Sequence, residues 1–326
     1  MVNNSIVISH RKDADGICSA ALVRQFSGAD VLLTDYGEMV ETLESVGENA
    51  EYYICDLGSN QKTFDGFIEQ TRRFEKFGRV HYIDHHPITV DNLDRLKNTG
   101  IDVSHSTEEC ASILVYKKYE DQLKESPTMK ILACCGAITD YLDTRPFAKK
   151  LISSFDRQFL LYEATVLSFA ISVIGRDLVQ GTSRLIDLAK QLAEGKLPHE
   201  IKDASNLAQE QARNSAELLK LARFHGKRMK NYAYFLTNES STGNVANFLI
   251  GAFEVPVGVA LREEEPDYYE ISLRSIDESK HDLGKIIGKI ALKLDSSGGG
   301  HPHASGARIK KGQLEEFLSL LDRELS

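Results

Sequence analysis

Tryptophan is absent from the 326 residues, and basic residues are outnumbered, 39 Lys and Arg against 48 Asp and Glu, for a net charge of −9. A groove that tracks a long single strand needs cations and stacking aromatics, and this composition argues against one. The summed field repels polyphosphates, so any nucleic-acid role needs a local site or bound cations. Cysteine is scarce and odd in number: Cys18, Cys55, Cys110, Cys134 and Cys135 contain no zinc-type pair of pairs, and most sit in apolar runs. They read as small buried hydrophobes in a reducing cytoplasm. No stretch approaches the roughly 20 apolar residues that cross a bilayer. The start, MVNNSIVISHRKD, lacks a basic segment followed by a long apolar one. The expectation is a cytoplasmic chain with no membrane partner. Tandem repeats and low-complexity tails are also missing.

What is present is a globular balance of 42% apolar and 27% charged residues, long enough for two domains with a core in each. Apolar, β-branched runs alternate with helical patterns through the first half: 5–10, 30–35, 51–58, 79–86 and 101–106. That alternation predicts βαβ units and a mainly parallel sheet flanked by helices. From about 108 to 228 the pattern is helical. A second, smaller α/β unit follows, with strands in NYAYFLT, VPVGVALRE, YYEISLRS and ASGARI. The expected division is a catalytic domain over 1–190, a helical linker over 191–229 and a second domain over 230–326.

Ligands of an open α/β sheet bind outside the carboxyl ends of its strands, so polar residues that interrupt an apolar run there are site candidates. HRKDADG ends the first strand with His10, Asp13 and Asp15. CDLG ends the third with Asp56, and DHH ends the fourth with Asp84, His85 and His86. Asp140 closes the helical segment GAITDYLD. Each has a plain alternative: Asp15 as a helix N-cap, Asp56 as a turn residue, the histidines as capping or core groups. Brought to one sheet edge, so many acids would repel one another unless divalent cations neutralised them, and carboxylate with imidazole suits manganese, iron or zinc. Two ions about 3.5–4 Å apart are equipped for phosphoester hydrolysis.

A second cluster, SSGGGHPHASGA, lies at 296–307. Consecutive glycines let backbone N–H groups approach an anion, although a flexible hairpin has the same composition. His301 and His303 follow directly, and ISLRS supplies Arg274 and Ser275 at a strand end. Arg274 can grip a phosphate with two hydrogen bonds. Lys285, Lys289 and Lys293 recur every four residues, as a phosphate path or as a solvated helix face.

HRKDADG, CDLG, DHH and GAITD in this order, followed by SLRS and GGGHPHASG, resemble the DHH phosphoesterases that carry a DHHA1 domain. The resemblance covers nearly the whole chain. Members include RecJ-like exonucleases, nanoRNases, phosphoadenosine phosphate phosphatases and cyclic-dinucleotide phosphodiesterases. It implies an N-terminal DHH domain and a DHHA1 domain joined by a helical linker, with two manganese ions, for which magnesium or cobalt can substitute. By motif, His10 and Asp13 resemble ligands of one ion, Asp15, His85 and Asp140 of the other, and Asp56 the bridge. Asp84 resembles a carboxylate that orients His85, and His86 the residue at the scissile phosphate. Arg274, Ser275, Gly298, Gly299, Gly300 and His301 resemble the grip on the terminal nucleotide. One departure concerns GAITDYLDT: nanoRNase-type members continue from the Asp into Thr-Gly, which keeps Asp143 as a rival to Asp140.

The compact build and the HPHASG loop look most like archaeal RecJ-like or nanoRNase-like members. The resemblance thus implies release of mononucleotides from short single-stranded RNA, and DNA, in the 3′ to 5′ sense. A RecJ-like role with a GINS-type replication partner, a small-nucleotide phosphatase or cyclic-dinucleotide phosphodiesterase, and a homodimer remain alternatives.

Overall fold

The computed structural model describes residues 4–60, 62–238, 242–264, 266–276 and 281–326. They divide into two units, Met1–Gln211 and Ala212–Ser326. The first alternates β1 (Ser5–His10), α1 (Ala14–Ser27), β2 (Asp30–Thr34), α2 (Met39–Ser45), β3 (Glu51–Cys55), α3 (Phe64–Glu75), β4 (Val80–Asp84), α4 (Val90–Lys97) and β5 (Asp102–His105). Helices follow: α5 (Ala111–Lys118), α6 (Glu120–Leu123), α7 (Pro127–Thr139), α8 (Pro146–Ile152), α9 (Arg157–Ile174), α10 (Gly181–Ala193) and the long α11 (Lys202–His225), which crosses the division.

All five strands of the first sheet pair in parallel, in the order β2-β1-β3-β4-β5. Such a sheet is covered on both faces, and the residues show it. Val7, Tyr53, Cys55 and Ile83 join a core with α1, α5, α7, α9 and α10. Their neighbours Ile8, Tyr52, Ile54 and Tyr82 point the other way, into a core with α2, α3 and α4. The strand order reverses between β1 and β3, the topological switch point where doubly wound sheets open a ligand crevice.

Helix α9 departs from the sequence expectation about apolar stretches. Its 18 residues average a hydropathy of 1.3, which by length and composition alone suffices to cross a membrane. The apolar excess has another cause: Leu160, Ala164, Val166, Leu167, Ala170, Ile171 and Ile174 are buried in the core. Glu163, fully buried on the same helix, accepts hydrogen bonds from the backbone N–H and the ring Nδ1 of His199. All five cysteines are buried and unpaired, and burial pushes the thiols of Cys18, Cys55, Cys110, Cys134 and Cys135 up.

The second unit holds β6 (Lys227–Arg228), β7 (Tyr232–Leu236), α12 (Thr242–Phe253), β8 (Val257–Glu264), β9 (Tyr268–Ser275), α13 (Leu283–Lys293), β10 (Ser297–Gly300), β11 (Ala304–Lys310) and α14 (Leu314–Glu324). Its sheet runs β10-β11-β9-β8-β7-β6 and is mixed: β7 and β8 are parallel, linked by α12, and the other pairs are antiparallel. Leu283, Ile287 and Ile290 of α13 and Phe317 and Leu321 of α14 pack with Val257, Val259, Ile271 and Leu273. Val245, Ala246 and Leu249 of α12 pack in a separate cluster with Ala233 and Ala260.

Candidate metal centre at the switch point

Backbone packing aims the first cluster. Helix α1 begins so close to β1 that a Cβ on Gly16 would lie 2.3 Å from the carbonyl oxygen of His10, so only glycine fits there. Asp13 caps the helix, its Oδ1 accepting the Gly16 N–H at 3.0 Å. His10 Nε2 stands 3.5 Å from Asp13 Oδ2. Its buried Nδ1 has no hydrogen-bond partner, and burial lowers the imidazole's pKa against the pull of Asp13 and Asp35.

Asp15 is fully buried and works as a joint between helices. Its two oxygens accept the N–H groups of Ala111 at 2.7 Å and Ser112 at 2.9 Å, in the first turn of α5, where a negative charge suits the helix end. Gly136 of α7 makes room: a Cβ there would lie 2.5 Å from Asp15 Oδ1 and 2.1 Å from Ser112 Oγ.

Asp56 follows β3 with a left-handed backbone, φ 55°, a conformation that Asp and Asn tolerate better than most residues. Its side chain is buried and Oδ2 has no partner. His85 Nε2 lies 3.3 Å from Asp56 Oδ1, 3.2 Å from Asp140 Oδ2 and 3.9 Å from Asp15 Oδ2. Three carboxylates from three elements thus surround one imidazole nitrogen. Asp140 is the C-cap of α7, whereas Asp143 pairs with Arg157 at 3.6 Å.

Asp84 faces His86: Oδ1 lies 2.9 Å from Nδ1, while Oδ2 accepts the His86 N–H at 3.0 Å and the Tyr82 hydroxyl at 2.9 Å. The motif resemblance paired Asp84 with His85; the hydrogen bonds here tie it to His86. His86 Nε2 meets the Tyr36 hydroxyl at 2.9 Å, and the residue packs so close to Gly58 that a Cβ there would sit 2.6 Å from His86 Cβ.

The electrostatics follow from this crowding. Burial and the charges of Asp13, Asp15, Asp140 and Asp84 hold the Asp56 carboxyl well above its ordinary pKa. Asp140 is pushed up to about 9 by burial and then by Asp15 and Asp13. Burial would raise Asp84 too, but the hydrogen bond and charge of His86, the charge of His85 and the Tyr82 hydroxyl together outweigh it and its pKa falls. Burial works against a charged His86, and Asp84 overrides it, so that pKa rises. Asp15, His85 and Asp140, and again Asp56, His85 and His86, each offer ligand atoms within 4.8 Å of one another. An unpartnered buried carboxylate oxygen, an unpartnered imidazole nitrogen and carboxylates held above their ordinary pKa are what a divalent cation would relieve, and the mixed donor set suits a first-row metal.

The second unit gathers the other candidates by register. Ala304 pairs with Arg274, and Gly298, Gly299 and Gly300 pair with Ala307, Gly306 and Ser305. The Ser275 N–H donates to the His303 carbonyl at 3.0 Å, and the exposed His301 exchanges backbone hydrogen bonds with Ala304 at 2.9 and 3.3 Å. Gly299 and Gly300 have φ of 155° and 142°, and a Cβ on Gly300 would meet the Ala304 oxygen at 2.6 Å. The Arg274 guanidinium packs on Gly243 in the first turn of α12, where a Cβ would be 2.5 Å from Nη2. Of the three lysines, Lys285 pairs with Asp282 and Lys289 with Glu324, both across solvated faces.

Sequence reasoning missed Tyr36, Gly16, Gly58 and Gly136. Tyr36 was reachable, since it follows β2 at the same sheet edge, but it carries no charge to mark it. The glycine contacts exist only once the helices have docked.

The DHH family N-terminal domain matches residues 4–138 and the DHHA1 domain residues 230–326. The chain thus carries a DHH family N-terminal domain followed by a DHHA1 domain. Among solved structures it is similar to a DHH-domain member of the s1p family of ribosomal proteins (15% identity, 99% of this chain and 87% of that one, TM-score 0.68). It is also similar to the pGpG-specific phosphodiesterase PggH from Vibrio cholerae (13% identity, 98% and 99%, TM-score 0.63). The manganese complex of RecJ from Thermus thermophilus is a third (18% identity, 98% and 51%, TM-score 0.61). Likeness at these identities is likeness of fold. No curated protein sequence matches the chain.

Proposed function

We propose that the chain is a divalent-metal-dependent phosphodiesterase that hydrolyses short single-stranded oligonucleotides, RNA and also DNA, to mononucleotides in the 3′ to 5′ sense. The observation that carries this reading is the enclosure of His85 Nε2 by Asp15, Asp56 and Asp140. Manganese suits the donors, with magnesium or cobalt as substitutes. His10 and Asp13 would hold one ion and Asp15, His85 and Asp140 the other, with Asp56 shared. When bound, such ions supply Lewis acidity for attack by water and offset charge on the phosphoryl oxygens.

The residues of the chain bind and orient. Asp84 engages His86 at Nδ1 and the Tyr36 hydroxyl engages Nε2, so the ring is held at both nitrogens beside the acids, and the protonated form that Asp84 favours would offset charge on a phosphoryl oxygen. Arg274 is suited to a bidentate grip on a terminal phosphate, and the glycine strand 298–300 has no side chains to keep a nucleotide from its backbone.

Short substrates are favoured by the net charge of −9 and the lack of tryptophan. The chain also spans 99% of the pGpG-specific phosphodiesterase but 51% of the Thermus RecJ. End-labelled RNA and DNA from dinucleotides upward, blocked at either end and incubated with manganese, test the proposal through the first product released. Mononucleotides from short RNA with a free 3′ end are expected. Preference for long 5′-phosphorylated DNA would overturn the short-substrate reading, and turnover of dinucleotides without trimers would make the enzyme dinucleotide-specific, as its fold relative's name suggests.

A further inference from the structure

We infer that Tyr36 is a positioning residue: its hydroxyl holds His86 at Nε2 while its ring lies on His10, so one side chain fixes two imidazoles that project from different strands. The inference rests on the reading of this crevice as the hydrolytic site.

Tyr36 follows β2 at the sheet edge from which His10 and His86 also project, at the ends of β1 and β4. Its ring stacks on His10 with centroids 4.2 Å apart and planes at 17°. It meets His86 edge-on, at 5.2 Å and 71°. The hydroxyl is 2.9 Å from His86 Nε2. On the other side of that imidazole, Nδ1 is 2.9 Å from Asp84 Oδ1, and Asp84 in turn accepts from Tyr82. Tyr36, His86, Asp84 and Tyr82 therefore form one hydrogen-bonded chain from the end of β2 to β4.

An imidazole tied at a single nitrogen can still swing about its Cβ bond; one tied at both cannot. The hydroxyl is both donor and acceptor, so it keeps its contact whichever protonation state Nε2 adopts. Tyr36 is itself anchored, because its N–H donates to Asp35 Oδ1 at 2.8 Å and Asp35 pairs with Lys12. The ring covers one face of His10, whose Nε2 stays beside Asp13. The two halves of the side chain thus have separable tasks, the hydroxyl for His86 and the ring for His10.

Two substitutions separate them. Tyr36→Phe keeps the stack and removes the hydroxyl; Tyr36→Leu removes both. Each is measured in the full chain by 15N NMR of the imidazoles with magnesium present, by manganese titration, and by steady-state hydrolysis of a short RNA. Tyr36→Phe should move the His86 Nε2 signal, leave the His10 signals and manganese affinity as in the wild type, and lower kcat about tenfold with KM within about twofold. Tyr36→Leu should in addition weaken manganese binding about tenfold. Unchanged His86 signals in Tyr36→Phe, unchanged kcat, or a fall in melting temperature alone would overturn the inference. If the wild type cleaves no phosphodiester, the functional reading fails by itself. The NMR and manganese measurements still decide whether Tyr36 holds both imidazoles.

Discussion

In the first unit Asp15, Asp56 and Asp84 are exposed by 1% or less, while in the second Lys285, Lys289 and Arg308 meet their acidic partners in solvent. The first unit gathers like charges at the carboxyl edge of a parallel sheet and covers both faces with helices. The second builds its candidate grip from backbone, with three glycines in β10 and an arginine laid on another glycine. Crowded buried acids lower the stability of a fold unless something binds them, and such a cost at a strand edge points to chemistry. A glycine hairpin costs backbone entropy instead, and points to close approach by a ligand. Under the proposed function the contrast would put reaction in one unit and recognition in the other, a division that can be attacked from either side.

The largest effect belongs to Asp56→Asn, which keeps a side chain that tolerates the left-handed backbone and deletes the charge. Hydrolysis should fall about a thousandfold, beyond the roughly 10–100-fold typical of residues that only orient a ligand. The melting temperature of the metal-free variant should rise at neutral pH, since the fold no longer holds an acid whose ionisation it opposes. Activity close to wild type would break the assignment of reaction to the first unit.

Arg274→Ala tests the other side. It should raise KM for short RNA about tenfold, as expected for loss of a charged hydrogen bond, and leave manganese affinity unchanged. A change in metal affinity would erase the division of labour.

A smaller effect follows from titration. Asp140 is pushed to about 9 in the folded chain against an ordinary 3.8, so the native state binds the extra proton between those values. Stability of the metal-free protein should therefore decline as pH rises through that window. Manganese, which takes the deprotonated ligands, should flatten or reverse the slope. Chemical denaturation at several pH values, with and without the metal, measures it.

The smallest is Lys285→Ala. Its partner Asp282 is a solvated helix cap, so neither stability nor hydrolysis should change measurably. A clear loss of affinity for RNA would restore the lysine row as a phosphate path and sharpen the recognition half.

The strands were legible because a parallel sheet covered on both faces needs mainly apolar, β-branched or aromatic runs, and SIVISH, EYYIC and VHYID are largely that. Acids and imidazoles that break such runs stand out, so His10, Asp56, Asp84, His85 and His86 could be named before any fold was known. The partnership of Asp84 with His86 rather than His85 could not, because it depends on which way two adjacent rings turn after β4 ends. Nor could the Asp15 joint, whose partners Ala111 and Ser112 are almost a hundred positions away and identifiable only when α5 docks.

That joint has a calorimetric consequence. With both Asp15 oxygens already anchored by amides and Gly136 leaving no slack behind them, the carboxylate is aimed before any cation arrives. Uptake of manganese should then bury little fresh apolar surface, and titrations at several temperatures should give a heat-capacity change near zero.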